Sequence, residues 1–188
     1  MDDFRGAQAV ITGAGSGIGR ALAQALSRAG CRLYLSDINE TTLAATRDSL
    51  STPDAASIAR VDVADRDAVL AWAAAVSAET DAVDLVVNNA GVALIASAQA
   101  TSRDDFRWLM DINFWGTAEV CLGILPLLRK SDRPVIAVVS SIAGLMGIMG
   151  ALPYAASKSA VRGFAESLRL ELRDEGIRVA IISNEFGD

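Results

Sequence analysis

Short, mainly apolar runs alternate along the chain with longer stretches in which apolar residues recur every three or four positions. A short apolar run bounded by turn residues predicts a buried strand, and the wider spacing predicts a helix with one buried side. The pattern predicts strands at residues 9–11, 32–36, 57–61, 84–87, 135–139 and 177–182. It predicts helices over 18–26, over 39–50, from 65 onward, from 101 to about 130, and over 154–173.

Polar residues in front of three of these helices have the chemistry of helix caps. Asn39 and Asp65 carry side-chain oxygens that accept from the free N–H groups of a first turn. Thr101 and Asp104 are three residues apart, the spacing of a capping box. We therefore predict that the long helix begins at Thr101.

Regular alternation of strand and helix predicts an α/β fold. Consecutive parallel strands need right-handed crossovers, which place helices on both faces of the sheet and a ligand crevice at the carboxyl ends of the strands. We predict a doubly wound, Rossmann-type sheet of six parallel strands. The chain shows no internal repeat and no linker, so residues 1–188 are interpreted as one domain.

Composition narrows the functional classes. The net charge of −6 disfavours nucleic acid as a partner. The chain has no histidine, and Cys31 and Cys121 are far apart, so neither a metal site nor a disulfide is predicted. Residues 134–157 are uncharged but rich in glycine and serine, which argues against a membrane span. The acidic amino terminus is unlike an export signal, and we expect a cytoplasmic protein with reduced, buried thiols.

A glycine-rich turn joins the first predicted strand to the first helix. Glycines there allow a sharp turn and a close approach to a diphosphate, and the amino end of the helix supplies free N–H groups. A purely structural tight turn is the alternative, because the strict GxGxxG pattern is not met. The candidate cofactor-binding residues of this turn are Thr12, Gly13, Ser16, Gly17, Ile18 and Gly19.

Asp37 follows the second predicted strand, where a carboxylate can accept hydrogen bonds from the adenosine ribose. Its charge would repel a 2′-phosphate, and Ser16 and Ile38 hold the neighbouring positions at which a basic residue could compensate. We therefore predict NAD, not NADP, as the cofactor. Taken alone, Asp37 is also consistent with a solvated helix-capping acid.

With these features, the chain resembles the short-chain dehydrogenase/reductase family, whose turn has the form Thr-Gly-x-x-x-Gly-x-Gly. The match continues along nearly the whole chain. It includes Asp62-Val63, Asn88-Asn89-Ala90-Gly91, Asn113, Ser141 and Tyr154-Ala155-Ala156-Ser157-Lys158. The resemblance implies that Asp62 and Val63 contact the adenine. It also implies that Asn88, Ala90 and Gly91 line the cofactor crevice.

The resemblance implies a catalytic set of Asn113, Ser141, Tyr154 and Lys158. Tyr154 and Lys158 are four residues apart on a predicted helix, so they share one face and the ammonium can stabilise the ionised phenol. Tyr154 is then the acid/base group and Ser141 polarises the substrate oxygen. By resemblance, Tyr154 and Lys158 also contact the cofactor and Asn113 holds a water that links Lys158 to solvent. The absence of histidine excludes a Ser-His-Asp hydrolase.

The resemblance also implies that the chain stops before the family's substrate-covering segment and seventh strand. Where the family has x-Pro-Gly, this chain has Ser183-Asn184-Glu185, and we interpret residues 184–188 as the trace of an early stop, a frameshift or an artificial chain end. The family's two longest helices form a dimer interface, so we expect a homodimer or homotetramer. Without a seventh strand, residues 179–182 would form an unpaired, association-prone edge.

Three functions stay open. The first is an oxidoreductase that transfers a hydride between NAD(H) and a secondary alcohol or ketone. The second is an NAD-binding but catalytically impaired fragment, or a non-catalytic binding protein. The third is an NADP-linked reductase, which would need Arg20 or Arg60 to fold over the ribose. An apolar substrate wall is predicted from Leu94, Leu145, Met146, Ile148 and Met149.

Overall fold

A single sheet of six parallel strands forms the centre of the protein, in the order β3-β2-β1-β4-β5-β6. The computed structural model describes residues 4–184. The six predicted strands are confirmed, with ends that differ by at most two residues. They are β1 (Gln8–Thr12), β2 (Arg32–Asp37), β3 (Ala56–Arg60), β4 (Leu85–Asn88), β5 (Val135–Ser141) and β6 (Arg178–Asn184).

Helices cover both faces of the sheet and make its strands doubly buried. They are α1 (Gly17–Arg28), α2 (Glu40–Asp48), α3 (Arg66–Glu79), α4 (Arg103–Leu109), α5 (Gly116–Leu128) and α6 (Leu152–Glu171). Adjacent residues of β5 belong to different hydrophobic clusters. Ile136 belongs to the cluster with residues of α3, α5 and α6, whereas Ala137 belongs to the cluster with residues of α1 and α2. The unbroken apolar runs of the strands therefore reflect a sheet with two cores.

The long predicted helix is α4 and α5 joined by a π-helical segment, Met110–Trp115. Its predicted capping box at Thr101 and Asp104 is wrong by one residue. Ser102 Oγ accepts from Asp105 N at 3.1 Å, and Asp105 Oδ2 accepts from Ser102 N at 2.7 Å. Thr101 instead donates its hydroxyl to the Ser97 carbonyl, which closes the preceding turn.

The other two predicted caps are confirmed. Asn39 Oδ1 accepts from Thr42 N at 3.1 Å in front of α2. Asp65 Oδ1 accepts from Asp67 N and Ala68 N in front of α3. Each satisfies backbone donors that a helix cannot pair internally.

The sheet has a crevice near its middle and the edge strand β6 at one side. Strand order reverses between β1 and β4, and the carboxyl ends of these strands open the crevice expected in such sheets. At the far side, β6 pairs with β5 and has no second strand neighbour within residues 4–184. Arg169 Nε donates to the Val179 carbonyl of β6 at 2.8 Å. Of residues 184–188, interpreted from the sequence as the departure from the family, Asn184 ends β6 and residues 185–188 lie outside the described residues.

No helix within residues 4–184 is long and apolar enough to cross a membrane. Within the same residues, no group of three or more acidic or cysteine side chains is arranged to hold a metal ion.

Candidate active site

The glycine-rich turn between β1 and α1 is fastened to the end of β4. Asn89 Nδ2 donates to the carbonyls of Thr12 and Gly13, both at 3.0 Å, and Thr12 Oγ1 accepts from the backbone of Asn89 and Ala90. Gly13 has a φ of +64°, and a Cβ there would lie 2.8 Å from Ala90 Cα. The turn thus requires glycine for both its conformation and its packing. Asn89 was missed as a site residue, although it belongs to the quoted Asn-Asn-Ala-Gly motif.

The amino end of α1 has the chemistry of an anion site. Ser16 is its cap residue but makes no side-chain cap hydrogen bond, and the first turn has no acidic residue. Ser16, Gly17 and Ile18 are exposed at the positive end of the helix dipole, where the first backbone N–H groups of a helix have no partner within it. A side chain at Gly19 would collide with the Gly13 carbonyl. This end of α1 could therefore hold a diphosphate.

Asp37 lies beside this turn with a fixed carboxylate. Its Oδ2 accepts from Gly15 N at 2.8 Å and its Oδ1 accepts from Asn39 N at 2.9 Å. Arg20 donates to the Gly15 carbonyl and to Thr46 Oγ1. The N–H and the carbonyl of Gly15 are therefore held by side chains of opposite charge, on the edge of the predicted ribose site.

Arg60 also lies near the predicted ribose site. Its Nε donates to the Ile38 carbonyl at 3.1 Å. The two arginines named for the NADP alternative are thus close to Asp37, but each donates to backbone or threonine oxygens of the protein.

The remaining predicted cofactor residues occupy two different environments. Asp62 is exposed and Val63 is buried against α5, where a side chain at Gly116 would lie 2.8 Å from it. Asn88 is buried in the core, and its Nδ2 donates to Cys121 Sγ at 3.2 Å. The structure therefore places the Asn88 side chain against α5, while Gly91 borders the crevice.

Tyr154 and Lys158 line one cavity of about 160 Å³ at the carboxyl end of the sheet. The Lys158 Nζ atom lies 5.9 Å from the centroid of the Tyr154 ring and donates to the Val139 carbonyl at 3.0 Å. Only 6% of Lys158 is exposed. Burial lowers the pKa of the Lys158 ammonium to about 8. The rest of the lining is Ile18, Asn89, Gly91, Val92, Ala93, Val139 and Ser140.

Ser141 ends β5 near this cavity and is buried. Its Oγ accepts from Ala143 N at 3.2 Å, which caps the short 3-10 helix Ile142–Gly144. Its neighbour Ser140 was not singled out from the sequence, yet Ser140 lines the cavity, and its buried Oγ has no hydrogen-bond partner among residues 4–184. The sequence signal was the Ser-Ser pair at the end of a predicted strand. Adjacent strand residues face opposite sides, so both serines were candidates for the crevice.

Asn113 lies in the π-helical segment and is buried. Its Oδ1 accepts from Val92 N at 2.8 Å, and its Nδ2 donates to the Val92 carbonyl and to Ser157 Oγ, both at 2.9 Å. The side chain thus holds the loop after β4 against α6. π-helical turns of this kind often occur at functional sites.

Apolar side chains lie on the two loops beside Tyr154. Leu94 and Ile148 pack against the small cluster that contains Tyr154. Leu145, Met146 and Met149 are exposed, and Met149 is 98% exposed. The Ala96 N–H donates to the Gly150 carbonyl and joins the two loops that carry these residues.

A larger groove of about 900 Å³ lies at the opposite, amino end of the strands. Its lining includes Phe4, Asp84, Arg133, Val135 and Arg178. None of the predicted site residues borders it, and ligands of open α/β sheets bind at the carboxyl end. We therefore assign the candidate site to the smaller cavity.

Comparisons with known proteins agree with this geometry. A sequence model described as short chain dehydrogenase matches residues 7–185. The oxidoreductase SadH of Mycobacterium tuberculosis is 43% identical over 173 residues, which are 92% of this chain and 63% of that protein. A 3-ketodihydrosphingosine reductase of Bacteroides thetaiotaomicron is 32% identical over 92% of this chain and 61% of its own length.

A solved structure also resembles this chain. A short-chain dehydrogenase/reductase from Burkholderia phymatum in complex with NAD superposes with a TM-score of 0.93 at 34% identity. The match covers 99% of this chain and 68% of that one. The chain therefore spans under two thirds of the two curated relatives named above and about two thirds of this structure. With its glycine-rich turn, its six-stranded parallel sheet and these matches, the chain belongs to the short-chain dehydrogenase family of oxidoreductases.

Proposed function

We propose that this chain forms the cofactor-binding and catalytic part of an NAD-dependent oxidoreductase that acts on a secondary alcohol or ketone. The observation that carries the proposal is the shared cavity of Tyr154 and Lys158, which lies beside the glycine-rich turn. When bound, the nicotinamide would accept or supply the hydride.

The cofactor half of the proposal depends on charge. Residues 12–19 would hold the diphosphate, and Asp37 would accept from the ribose hydroxyls and repel a 2′-phosphate. NAD in the Burkholderia phymatum relative supports this choice. The alternative is an NADP-linked reductase, which is favoured by the positions of Arg20 and Arg60 near Asp37.

The catalytic half depends on proton transfer at Tyr154. The phenol would exchange a proton with the substrate oxygen, and the buried Lys158 ammonium would stabilise the phenolate. Ser141 would donate to the same oxygen, because its hydroxyl accepts from Ala143 N and keeps its own proton to give. Asn113 would hold the Val92 wall of the cavity in place.

An apolar substrate fits the mouth of the site. The exposed side chains of Leu145, Met146 and Met149 stand on the loops beside Tyr154. The Bacteroides thetaiotaomicron relative is named for a ketone substrate, 3-ketodihydrosphingosine. Exchange of Met149 for aspartate should raise the KM for apolar alcohols by more than that for small polar ones, and unchanged specificity would contradict an apolar wall.

A homodimer or homotetramer is part of the proposal. Trp108 in α4, Trp115 in the π-helical segment and Leu122 in α5 are each about half exposed. Exposed large apolar side chains of this kind suit a contact between two copies. Sedimentation should show a dimer or tetramer that Trp115→Glu dissociates, and a monomer at high concentration would contradict it.

Cofactor titration tests the proposal first. NADH binding, followed by energy transfer from the three tryptophans, should be at least tenfold tighter than NADPH binding. Asp37→Ser should reduce the ratio of the NADH affinity to the NADPH affinity. Tighter NADPH binding would instead establish the NADP alternative.

Turnover then separates an enzyme from a non-catalytic binding protein. With NAD⁺ and a panel of secondary alcohols, the chain should produce NADH, and Tyr154→Phe should abolish the product while it preserves NADH binding. NADH binding without turnover would favour the impaired fragment or binding protein.

A further inference from the structure

Ser157 joins three parts of the candidate site through one buried hydroxyl. It lies on α6 between Tyr154 and Lys158 and is 0% exposed. Its Oγ donates to the Tyr154 carbonyl at 2.8 Å and accepts from Asn113 Nδ2 at 2.9 Å. The hydroxyl therefore connects the helix of the acid/base pair to the π-helical segment.

The single hydroxyl hydrogen of Ser157 determines which of its two hydrogen bonds it donates and which it accepts. A serine hydroxyl has one hydrogen, and a backbone carbonyl can only accept, so the hydrogen of Ser157 points to the Tyr154 carbonyl. Towards Asn113 the oxygen can then only accept. The NH₂ group of Asn113, and not its oxygen, must face Ser157.

The fixed amide in turn determines how the loop after β4 is held. With its NH₂ towards Ser157, Asn113 presents Oδ1 to the Val92 N–H and its second N–H to the Val92 carbonyl, at 2.8 and 2.9 Å. A flipped amide would place two donors against each other at Val92 and two acceptors against each other at its carbonyl. Val92 by itself therefore selects this orientation, and Ser157 adds a third hydrogen bond to it that ties the amide to α6.

The held loop forms the wall of the catalytic cavity. Val92 and Gly91 line it together with Tyr154 and Lys158. A Cβ added at Gly91 would lie 3.0 Å from Asn113 Oδ1 and 3.5 Å from Lys158 Nζ, so this wall is packed directly against both groups.

We propose that Ser157 is a positioning residue: it fixes the Asn113 amide and thereby sets the distance between the Val92 wall and the Tyr154–Lys158 pair. Its effect on turnover rests on the proposed function, whereas its effect on the loop does not. The two effects therefore need separate measurements.

Amide hydrogen exchange at Val92 tests the first effect without any ligand. Ser157→Ala should raise the exchange rate of the Val92 N–H about tenfold, because Asn113 then loses its hydrogen bond to α6 and holds the loop less firmly. Ser157→Thr keeps a hydroxyl and should stay closer to wild type. Ser159→Ala, an exposed serine on the same helix, is the matched control. Unchanged exchange at Val92 in Ser157→Ala would overturn the proposal.

Kinetics with NAD⁺ and 2-octanol test the second effect. Ser157→Ala should lower kcat about tenfold with the KM for NAD⁺ within twofold, at a temperature where circular dichroism shows both proteins fully folded. Ser157→Thr should recover part of the rate. A normal kcat alongside faster Val92 exchange would overturn the positioning role. No turnover by the wild type would overturn the proposed function, while the exchange result for Ser157 would stand.

Discussion

Lys158 should make the folded protein less stable than an apolar residue would. Its ammonium is almost fully buried, and the Val139 carbonyl is the acceptor that the structure gives it. Water would satisfy all three N–H donors, so burial costs free energy that catalysis, and not folding, explains. We therefore predict that Lys158→Met unfolds at a higher temperature and is inactive.

The pKa shift of Lys158 determines how much its burial lowers the free energy of unfolding. Burial lowers the pKa of Lys158 from 10.5 to about 8. At about 1.4 kcal/mol per pKa unit, the charged folded form loses about 3 kcal/mol at pH 7. Methionine has a similar length but leaves the Val139 carbonyl without its donor, which offsets about 1 kcal/mol. A net gain of about 2 kcal/mol corresponds to a rise in Tm of about 6 °C for a domain of this size.

The stability difference between Lys158→Met and wild type should depend on pH. Below pH 8 the lysine is charged in both states, and the full cost applies. Between pH 8 and 10.5 the folded state has released a proton that the unfolded state still binds, so the wild type gains stability as the pH rises. At pH 10 the remaining cost is about 1 kcal/mol, which the lost hydrogen bond cancels.

Urea unfolding of wild type and Lys158→Met at pH 7 and pH 10 measures this difference directly. Lys130→Met is the control, because Lys130 is exposed and its removal should change the free energy of unfolding by less than about 0.5 kcal/mol at either pH. If Lys158→Met is no more stable than wild type at pH 7, or if its advantage persists at pH 10, the reasoning fails.

Three further predictions concern the scaffold. Urea unfolding should show that Ser102→Ala lowers the free energy of unfolding by about 1 kcal/mol. Thr101→Ala should change it by less than about 0.5 kcal/mol. A larger loss in Thr101→Ala than in Ser102→Ala would contradict the observed capping box. Gly13→Ala should abolish NADH fluorescence transfer, because the methyl group would meet Ala90 Cα at 2.8 Å; normal binding would refute the packing argument. Cys121, whose pKa burial raises to about 12, should resist iodoacetamide at pH 8 until the protein unfolds, as measured by mass spectrometry.

Local chemistry explains how much of the fold could be read from the chain. The apolar runs around Val10, Val86 and Ile136 lie in strands because only a doubly covered sheet buries such runs completely. Asn39 and Asp65 cap helices as expected, since a cap depends on residues only two or three positions away. The glycine-rich turn is equally local, and Gly13 has the positive φ that only glycine adopts easily.

Other features depend on contacts between distant segments. Thr101 and Ser102 are both good capping residues, and the turn with Ser97 decides which of them is used. The sequence gives no indication of the π-helical segment, which brings the Asn113 amide to Val92 and Ser157. The direction of the Asn88 side chain, towards Cys121, is likewise set by the packing of α5 on the sheet.

By itself, the sequence determined the strands, the glycine-rich turn and the spacing of Tyr154 and Lys158, because each follows from dihedral preference or periodicity within a few residues. Only the tertiary structure decided that Lys158 is buried, that Ser140 and Asn89 border the crevice, and that Ser157 ties Asn113 to α6. Burial and hydrogen-bond direction depend on which segments meet in space, and Asn113 and Ser157 are 44 positions apart along the chain. A pattern of local residue types does not carry that information.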